Sequence, residues 1–455
     1  PPRLRMMARR SACWSIARSV RTGEREARRV RAIWMIPVTI ALGALASHLL
    51  FPVLSKPAAV PAQPLAVVTA WGWSGVLAWL LYAATMCLAG GFYVVILFAA
   101  RHREIARRSI VIATLLAALA AFFFRFMFSS DVYAYVAYGA LAATHQNPYV
   151  HRMIPPSQLV DASWTAAIGY EWPSLPACVY GPAFVAFSQA IVVATHFDLA
   201  HALLSLRLLE IGAFAGAIAL APNSLLAIAV GLNPVVLSTV AEGHNDALIL
   251  LAIALAYRLA QKTAIGGGVL AGLSALLKAT GGIAALGLAY VMPQRRFAWG
   301  VAAGVVLSLL LQFAATRFAG GFQPLAATDF VGTPQAAVAI ALRGALALGL
   351  AFWALHLAGR AARVRALAVA ALLLWAIYPN DYPWYGVWLL PLAAATLDRP
   401  EGVALLVLTF SSTLRYLSDV YGYAPAAPWL EVIVVAIPVC VAAWRPARAG
   451  KLQVT

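Results

Sequence analysis

The chain has 455 residues, 63% of them hydrophobic and only 11% charged, with a mean hydropathy of +0.83. Soluble domains are about half apolar and about a quarter charged, so the composition excludes a soluble globular fold and predicts an all-α, polytopic membrane protein. The formal charge of +17, from 33 Lys and Arg against 16 Asp and Glu, falls between apolar runs as positive-inside loops do, which argues against nucleic acid as a partner.

Residues 1–32 are rich in arginine, from Arg3 to Arg31, and read as a basic cytoplasmic leader. A full apolar span with no small-residue cleavage site follows, which separates the leader from a transit peptide. The four cysteines, Cys13, Cys87, Cys178 and Cys440, have neither metal-ligand spacing nor a disulfide framework.

About 20 apolar residues cross a bilayer. On that ruler residues 33–51 form a first span, and 52–74 lie outside with Lys56 as their only basic residue. Residues 75–100 return to the basic loop of Arg101, Arg103, Arg107 and Arg108, and 110–128 run outward again. Asp131 then emerges on the extracytoplasmic face. An acid where a membrane helix surfaces is rarely kept without a use, which makes Asp131 a candidate general base. The loop 129–182 follows, broken by prolines. It is expected to form short amphipathic helices, with Tyr133, Tyr135, Tyr138, Tyr149, Trp164 and Trp172 at headgroup depth.

Residues 181–197 and 199–222 come next, the second with Arg207 and Glu210 spaced to pair at i,i+3. His244-Asn245-Asp246 then interrupts an apolar run. Lys262 and the pair Arg295/Arg296 both favour the cytoplasm, so a pair of short helices turning near Lys278 is expected between them. That scheme puts 242–246 outside with Asp131, whereas plain alternation puts it inside. Outward and inward runs alternate from there to a cytoplasmic tail at 446–455. In all, about 12–14 helices form a single transmembrane domain over 33–445.

Rise along helices decides which charges share a depth. Arg125 lies roughly 25 Å beyond Arg108, Arg343 roughly 25 Å before Arg360, and Lys278 roughly 24 Å beyond Lys262. Asp131, Arg125, Lys278, Arg343, Asp381 and Arg415 therefore meet at one boundary of the bilayer. Cations beside a carboxylate suit a lipid phosphate. A sugar on a polyprenyl phosphate is already activated, so an enzyme needs a base for the acceptor hydroxyl and fixed charge for the departing phosphate. Lys278, Arg343, Arg125 and Arg415 are the candidate phosphate-binding residues. His244, Asn245, Asp246, Glu171, Asp381, Tyr382 and Trp384 are candidates for the acceptor or sugar. No metal and no cofactor is needed when fixed cations do this work. Each residue also has a plainer reading. Asp131 would serve as a helix cap after Ser129-Ser130, the arginines would snorkel, and 244–246 would be a structural turn.

SSDVYAYVAYG followed by NPY, VYGP at 179–182, LNPVVLSTVAEGHNDALI at 232–249 and YPWYGVWLLPL at 382–392 together resemble the GT-C class of integral-membrane glycosyltransferases. Within it they are similar to bacterial polyprenol-phosphate-mannose-dependent alpha-mannosyltransferases. The resemblance implies a hexose, expected to be mannose, moved from a polyprenyl-phosphate donor to a glycan- or lipid-linked hydroxyl. It further implies inversion, action at the outer face of the cytoplasmic (inner) membrane, and contact with membrane lipids. It places the base on Asp131 and a supporting role on His244, Asn245 and Asp246. GT-C enzymes often pair two acids in the first loop. Here Val132 follows Asp131, which leaves Glu171 or Asp381 as the second carboxylate. The rival reading is a transporter or flippase of such lipids, disfavoured because the polar groups gather at one face and no paired halves are visible.

Overall fold

A computed structural model of the chain describes residues 32–50, 66–68, 71–101, 104–149, 175, 177–317, 334–377, 382–421 and 427–444. The leader up to 31, most of the long loop with Glu171, Trp164 and Trp172, the position of Asp381, and the tail lie outside the described residues. In chain order the first helices are α1 (Ala32–Leu50), α2 (Trp73–Ala100) and α3 (Arg107–Phe122). A two-residue strand, β1 (Ala66–Val67), pairs in parallel with β2 (Phe126–Met127) and fixes the chain between α3 and α4 (Asp131–Ala143). There follow α5 (Pro182–Ala194), α6 (Leu199–Ala219), α7 (Ser224–Gly231), α8 (Pro234–Glu242), α9 (Asp246–Ala260) and α10 (Ala264–Leu273). The remainder comprises α11 (Ala279–Val291), α12 (Arg295–Arg317), α13 (Pro334–Gly359), α14 (Arg363–Ile377), α15 (Gly386–Ala395), α16 (Pro400–Ser411), α17 (Tyr416–Tyr421) and α18 (Ala427–Trp444).

This is an all-α, multi-pass architecture. Among the described residues six helices are long and apolar enough to cross a membrane, or seven if α7 and α8, bent by 60°, form one span. Four more apolar segments of 10–17 residues lie around α5, α10, α11 and α18. Helices this short can sit at membrane depth only where neighbours satisfy their ends, and the helix ends nearest Asp131 are tied down in that way.

The broken pair expected near Lys278 is present. Lys278 is extended (φ −163°, ψ 147°) between a 3-10 turn at Ser274–Leu276 and α11. Helices α10 and α12 run parallel at close range, because Gly272 abuts the backbone of Val301 and Val305, and Gly304 that of Val269. Small residues four apart let membrane helices approach to backbone contact. Lys262 and Arg295 therefore share one end of the bundle, and Lys278 lies at the other.

Two local expectations give way. Arg207 and Glu210 do not bond to each other. The guanidinium of Arg207 donates to the carbonyls of Ala241 (2.7 Å) and Phe122 (3.1 Å), and Glu210 accepts from the N–H of Leu248 (3.2 Å). Unpaired groups at the ends of α8, α3 and α9 are stronger attractors than an exposed-type i,i+3 partner. The tyrosines of α4 and of the turn after it are not an interfacial belt either. Tyr133, Tyr135, Tyr138 and Tyr149 are all buried, as is every residue of α4 from Val132 to Leu141. Helix α4 is core rather than amphipathic, because α5 covers it: Ser188 donates to the carbonyl of Tyr135 (2.6 Å), and Gly139 leaves room for the Ser188 backbone.

Candidate functional site

The 242–246 turn is built by helix-end chemistry. Asn233 caps α8 with its side chain, accepting from Val235 and Val236, and Pro234 occupies the first helical position. The helix ends at Gly243, which is left-handed (φ 95°) and so close to Arg207 and Val132 that a Cβ would collide with both. Asp246 opens α9 four residues after Glu242 closes α8. His244 and Asn245 are thereby held inside the protein, His244 toward Asp131 of α4 and Asn245 toward Lys278.

Asp131 is the first residue of α4, and its N–H donates to Ser129 Oγ (3.2 Å). Its carboxylate caps no helix N–H; it accepts from Ser129 and Tyr135 and faces His244, whose Nδ1 is 3.6 Å from Asp131 Oδ2. The Asp131 side chain is 23% exposed and that of His244 only 3%. Burial is the largest influence on Asp131 and pushes its pKa up to about 6, against the downward pull of the Lys278 cation. On the far side of the imidazole, Glu242 Oε2 is 3.7 Å from Nε2, while Glu242 Oε1 accepts from the N–H of Phe128 (2.9 Å).

Lys278 reaches the same place from the break between α10 and α11. Its ammonium pairs with Asp246 Oδ2 (3.0 Å), donates to Asn245 Oδ1 (3.4 Å) and lies 4.9 Å from the centre of the Tyr385 ring. The other Asp246 oxygen accepts from Trp388 Nε1 (2.8 Å). The structure therefore brings Asp131, His244, Asn245, Asp246 and Lys278 together at one level of the bundle, on one face.

Tyr382 and Trp384 extend the group as a stack. His244 lies on Trp384 (4.1 Å between centroids), Trp384 on Tyr382 (4.2 Å), and Arg415 sits 4.8 Å over the Tyr382 ring. Both faces of Trp384 are thus covered by other rings. Arg415 bonds Ser418 and Asp419 and lies 3.9 Å from Glu431, which pairs with Arg343. Arg343 also donates to the carbonyls of Trp375 and Ala376 at the end of α14. Arg125 is exposed, with its N–H on Ser47 Oγ (2.9 Å). Among the described residues no group of three or more His, Cys, Asp or Glu is arranged to hold a metal ion.

Four acids and aromatics at this site were not singled out from the sequence. They are Glu242, Trp388, Asp419 and Glu431. The first two have a readable signal, an acid within an apolar run and an indole one helical turn past Trp384.

Residues 38–294, more than half of the chain, match the family described as alpha-(1→6)-mannopyranosyltransferase, N-terminal domain. The chain belongs to that family. It is thus a multi-pass membrane protein of a glycosyltransferase, specifically mannosyltransferase, family, for which a sugar donor and a glycan acceptor are implied. No curated protein and no solved structure matches it. The matched region holds Asp131, Glu242, His244, Asp246 and Lys278; Tyr382, Trp384, Arg415 and Arg343 lie beyond it.

Proposed function

We propose that the chain transfers mannose from a polyprenyl-phosphate-linked donor to a hydroxyl of a glycan- or lipid-linked acceptor, at the outer face of the cytoplasmic membrane. Asp131 is the general base. The observation that carries this reading is a partly open carboxylate at the start of a buried helix, with its pKa near 6 and the Lys278 cation as its strongest opposing charge. A base tuned toward neutrality takes a hydroxyl proton efficiently. Lys278, with three donors of which Asp246 and Asn245 take two, offers the third to the leaving phosphate oxygen. Exposed Arg125 draws the anionic donor in. Arg343 and Arg415, already holding carboxylates, shape the far end of the site. Base and cation act on opposite faces of the sugar, so one displacement inverts the anomeric carbon. An alpha product then requires a beta-linked donor.

The test uses purified protein, a polyprenyl-phosphate mannose and a mannoside acceptor, scoring release of the lipid phosphate. The wild type is expected to turn over, and Asp131→Asn to lose on the order of 10²–10⁴-fold in kcat while remaining monodisperse in detergent. Undiminished turnover in Asp131→Asn would remove that residue from the base role.

A further inference from the structure

The ring of His244 is buried, and neither of its nitrogens has a hydrogen-bond partner. Buried polar atoms are nearly always paired, so an unpartnered imidazole calls for an account. It stands between two carboxyl groups, with Nδ1 3.6 Å from Asp131 Oδ2 and Nε2 3.7 Å from Glu242 Oε2. That Glu242 oxygen is itself unpartnered. Both gaps exceed a hydrogen bond by roughly half an ångström, and hydrogen bonds around a reacting group commonly tighten only when substrate binds. Trp384 stacks on the ring and Gly243 sets the turn before it, so its place between the two carboxyls is fixed.

Which atom donates follows from counting protons. Burial, and then the Lys278 cation, hold the imidazole well below its usual pKa, so the ring is neutral, with one N–H and one bare nitrogen. A carboxylate can only accept, so Asp131, ionised as the base, needs the N–H on Nδ1. Nε2 is then bare and faces Glu242, whose Oε1 already accepts from the N–H of Phe128 (2.9 Å). Lone pairs on Nε2 and Oε2 would repel, whereas a proton on Oε2 makes the same contact a hydrogen bond. Glu242 is also the more enclosed of the two, its side chain 10% exposed against 23%, where an uncharged group is better tolerated. The Arg207 cation, whose charge reaches Glu242, is committed to the carbonyls of Ala241 and Phe122. The other groups facing the trio are Lys278, Asp246, Ser129 and Tyr135 around Asp131, with Tyr82 and Tyr416 around Glu242.

We propose that Glu242, as a neutral acid, donates to His244 Nε2 and so fixes the tautomer whose Nδ1–H holds the Asp131 carboxylate from its buried side. The proposal rests on Asp131 being the base. No proton moves along the trio during turnover; the one on Glu242 stays where it is. The N–H delivered to Asp131 favours its anion and sets its orientation, and both serve the removal of the acceptor proton. His244 and Glu242 act through Asp131 and are positioning residues.

The experiment measures pH profiles of transfer for the full-length wild type, Glu242→Gln, Glu242→Leu and His244→Phe, using a polyprenyl-phosphate mannose and a mannoside acceptor. A glutamine amide donates to Nε2 as the acid does and still accepts from Phe128, so Glu242→Gln should keep kcat within about threefold and leave the acid limb in place. Leucine offers no donor, and phenylalanine keeps the stack on Trp384 but has no nitrogen. Each should lower kcat on the order of tenfold, short of the loss from removing the base itself. Without the N–H the Asp131 anion is disfavoured, so the acid limb of kcat/KM should move up by about one pH unit in both. Adding Glu242→Leu to His244→Phe should cost nothing further, as groups acting as a unit do. If Glu242→Leu is not monodisperse in detergent, His244→Phe alone carries the limb shift.

Glu242→Gln losing as much as Glu242→Leu would overturn the proposal, because an imidazolium held between two anions would respond in that way. An acid limb that stays in place in His244→Phe, or losses that multiply in the double variant, would overturn it as well. Undiminished turnover in Asp131→Asn, or a wild type that releases no polyprenyl phosphate, would instead overturn the underlying assignment of base or donor, which keeps the failures apart.

Discussion

The Asp131–His244–Glu242 group and the Arg343–Glu431–Arg415 group are both buried charge in an apolar protein, and they are built in opposite ways. The Arg343 guanidinium is engaged at all three nitrogens, although beside it Glu431 Oε1 stops 3.9 Å short of Arg415. The guanidinium bonds Glu431 and covers the last carbonyls of α14, whose other end is held by Arg365 on Glu401. Charge used like this ties helices together. Around His244 the contacts stop just short, and nitrogen and oxygen atoms able to take a proton stay unengaged. Lys278 on Asp246 lies between the two styles, a closed pair that fixes the turn beside the open group. The contrast lies between a guanidinium engaged at every nitrogen and an imidazole engaged at neither.

Removing one partner of a buried ion pair strands the other, so Glu431→Gln should lower stability by about 3–5 kcal/mol. A thermal melt in detergent reads this, and the pH dependence of transfer should be unaltered. The Asp131→Asn protein should show the reverse, a lost kcat with little change in melting. If Glu431→Gln melted like the wild type and shifted the pH profile, the distinction between closed and open groups would collapse.

A smaller loss is expected where no charge is involved. A Cβ at Gly272 would come within 2.6 Å of backbone atoms of Val301 and Val305. Gly272→Ala should therefore push α10 from α12 and cost about 1–3 kcal/mol by overpacking. Lys278 caps the break that α10 leads into, so this variant also asks whether the site tolerates movement of its support. A lower melting temperature with unchanged donor KM would show that it does.

What the sequence made legible follows from which physical signals are unambiguous. Apolar run length and loop charge revealed the helical membrane class, and the conflict between Lys262 and Arg295 revealed the turn at Lys278. Span counting and rise per residue put Asp131 and Lys278 at one depth, and loop charge added the 244–246 turn to them. The tyrosines of α4 were misread because an aromatic ring suits a headgroup belt and a core equally, and only α5 packing against α4 decides. Arg207 and Glu210 were spaced for each other, yet nearby helix ends, invisible in one dimension, took both. Glu242 was read only as one end of the 242–246 polar run, because the left-handed Gly243 that reverses the chain between it and His244 is invisible in one dimension. Its relation to Asp131 exists only after that turn is made.

The open group also makes a prediction in pH. Asp131 must be ionised to accept a proton, and burial has raised its pKa to about 6. Transfer measured as kcat/KM, which reports the free enzyme, should therefore fall as pH drops through about 6, and by about tenfold (1.4 kcal/mol) at pH 5. The largest influence lowering that pKa is Lys278, and the Asp246 charge works in the opposite direction. Lys278→Met removes the cation and leaves Asp246 uncompensated, so both changes disfavour the Asp131 anion. The acid limb should move to higher pH. In Arg343→Met the limb should stay in place, since Arg343 is committed to Glu431 and is not among the charges that Asp131 feels most. A limb that moved in Arg343→Met and stayed in Lys278→Met would assign the controlling cation to the closed group instead.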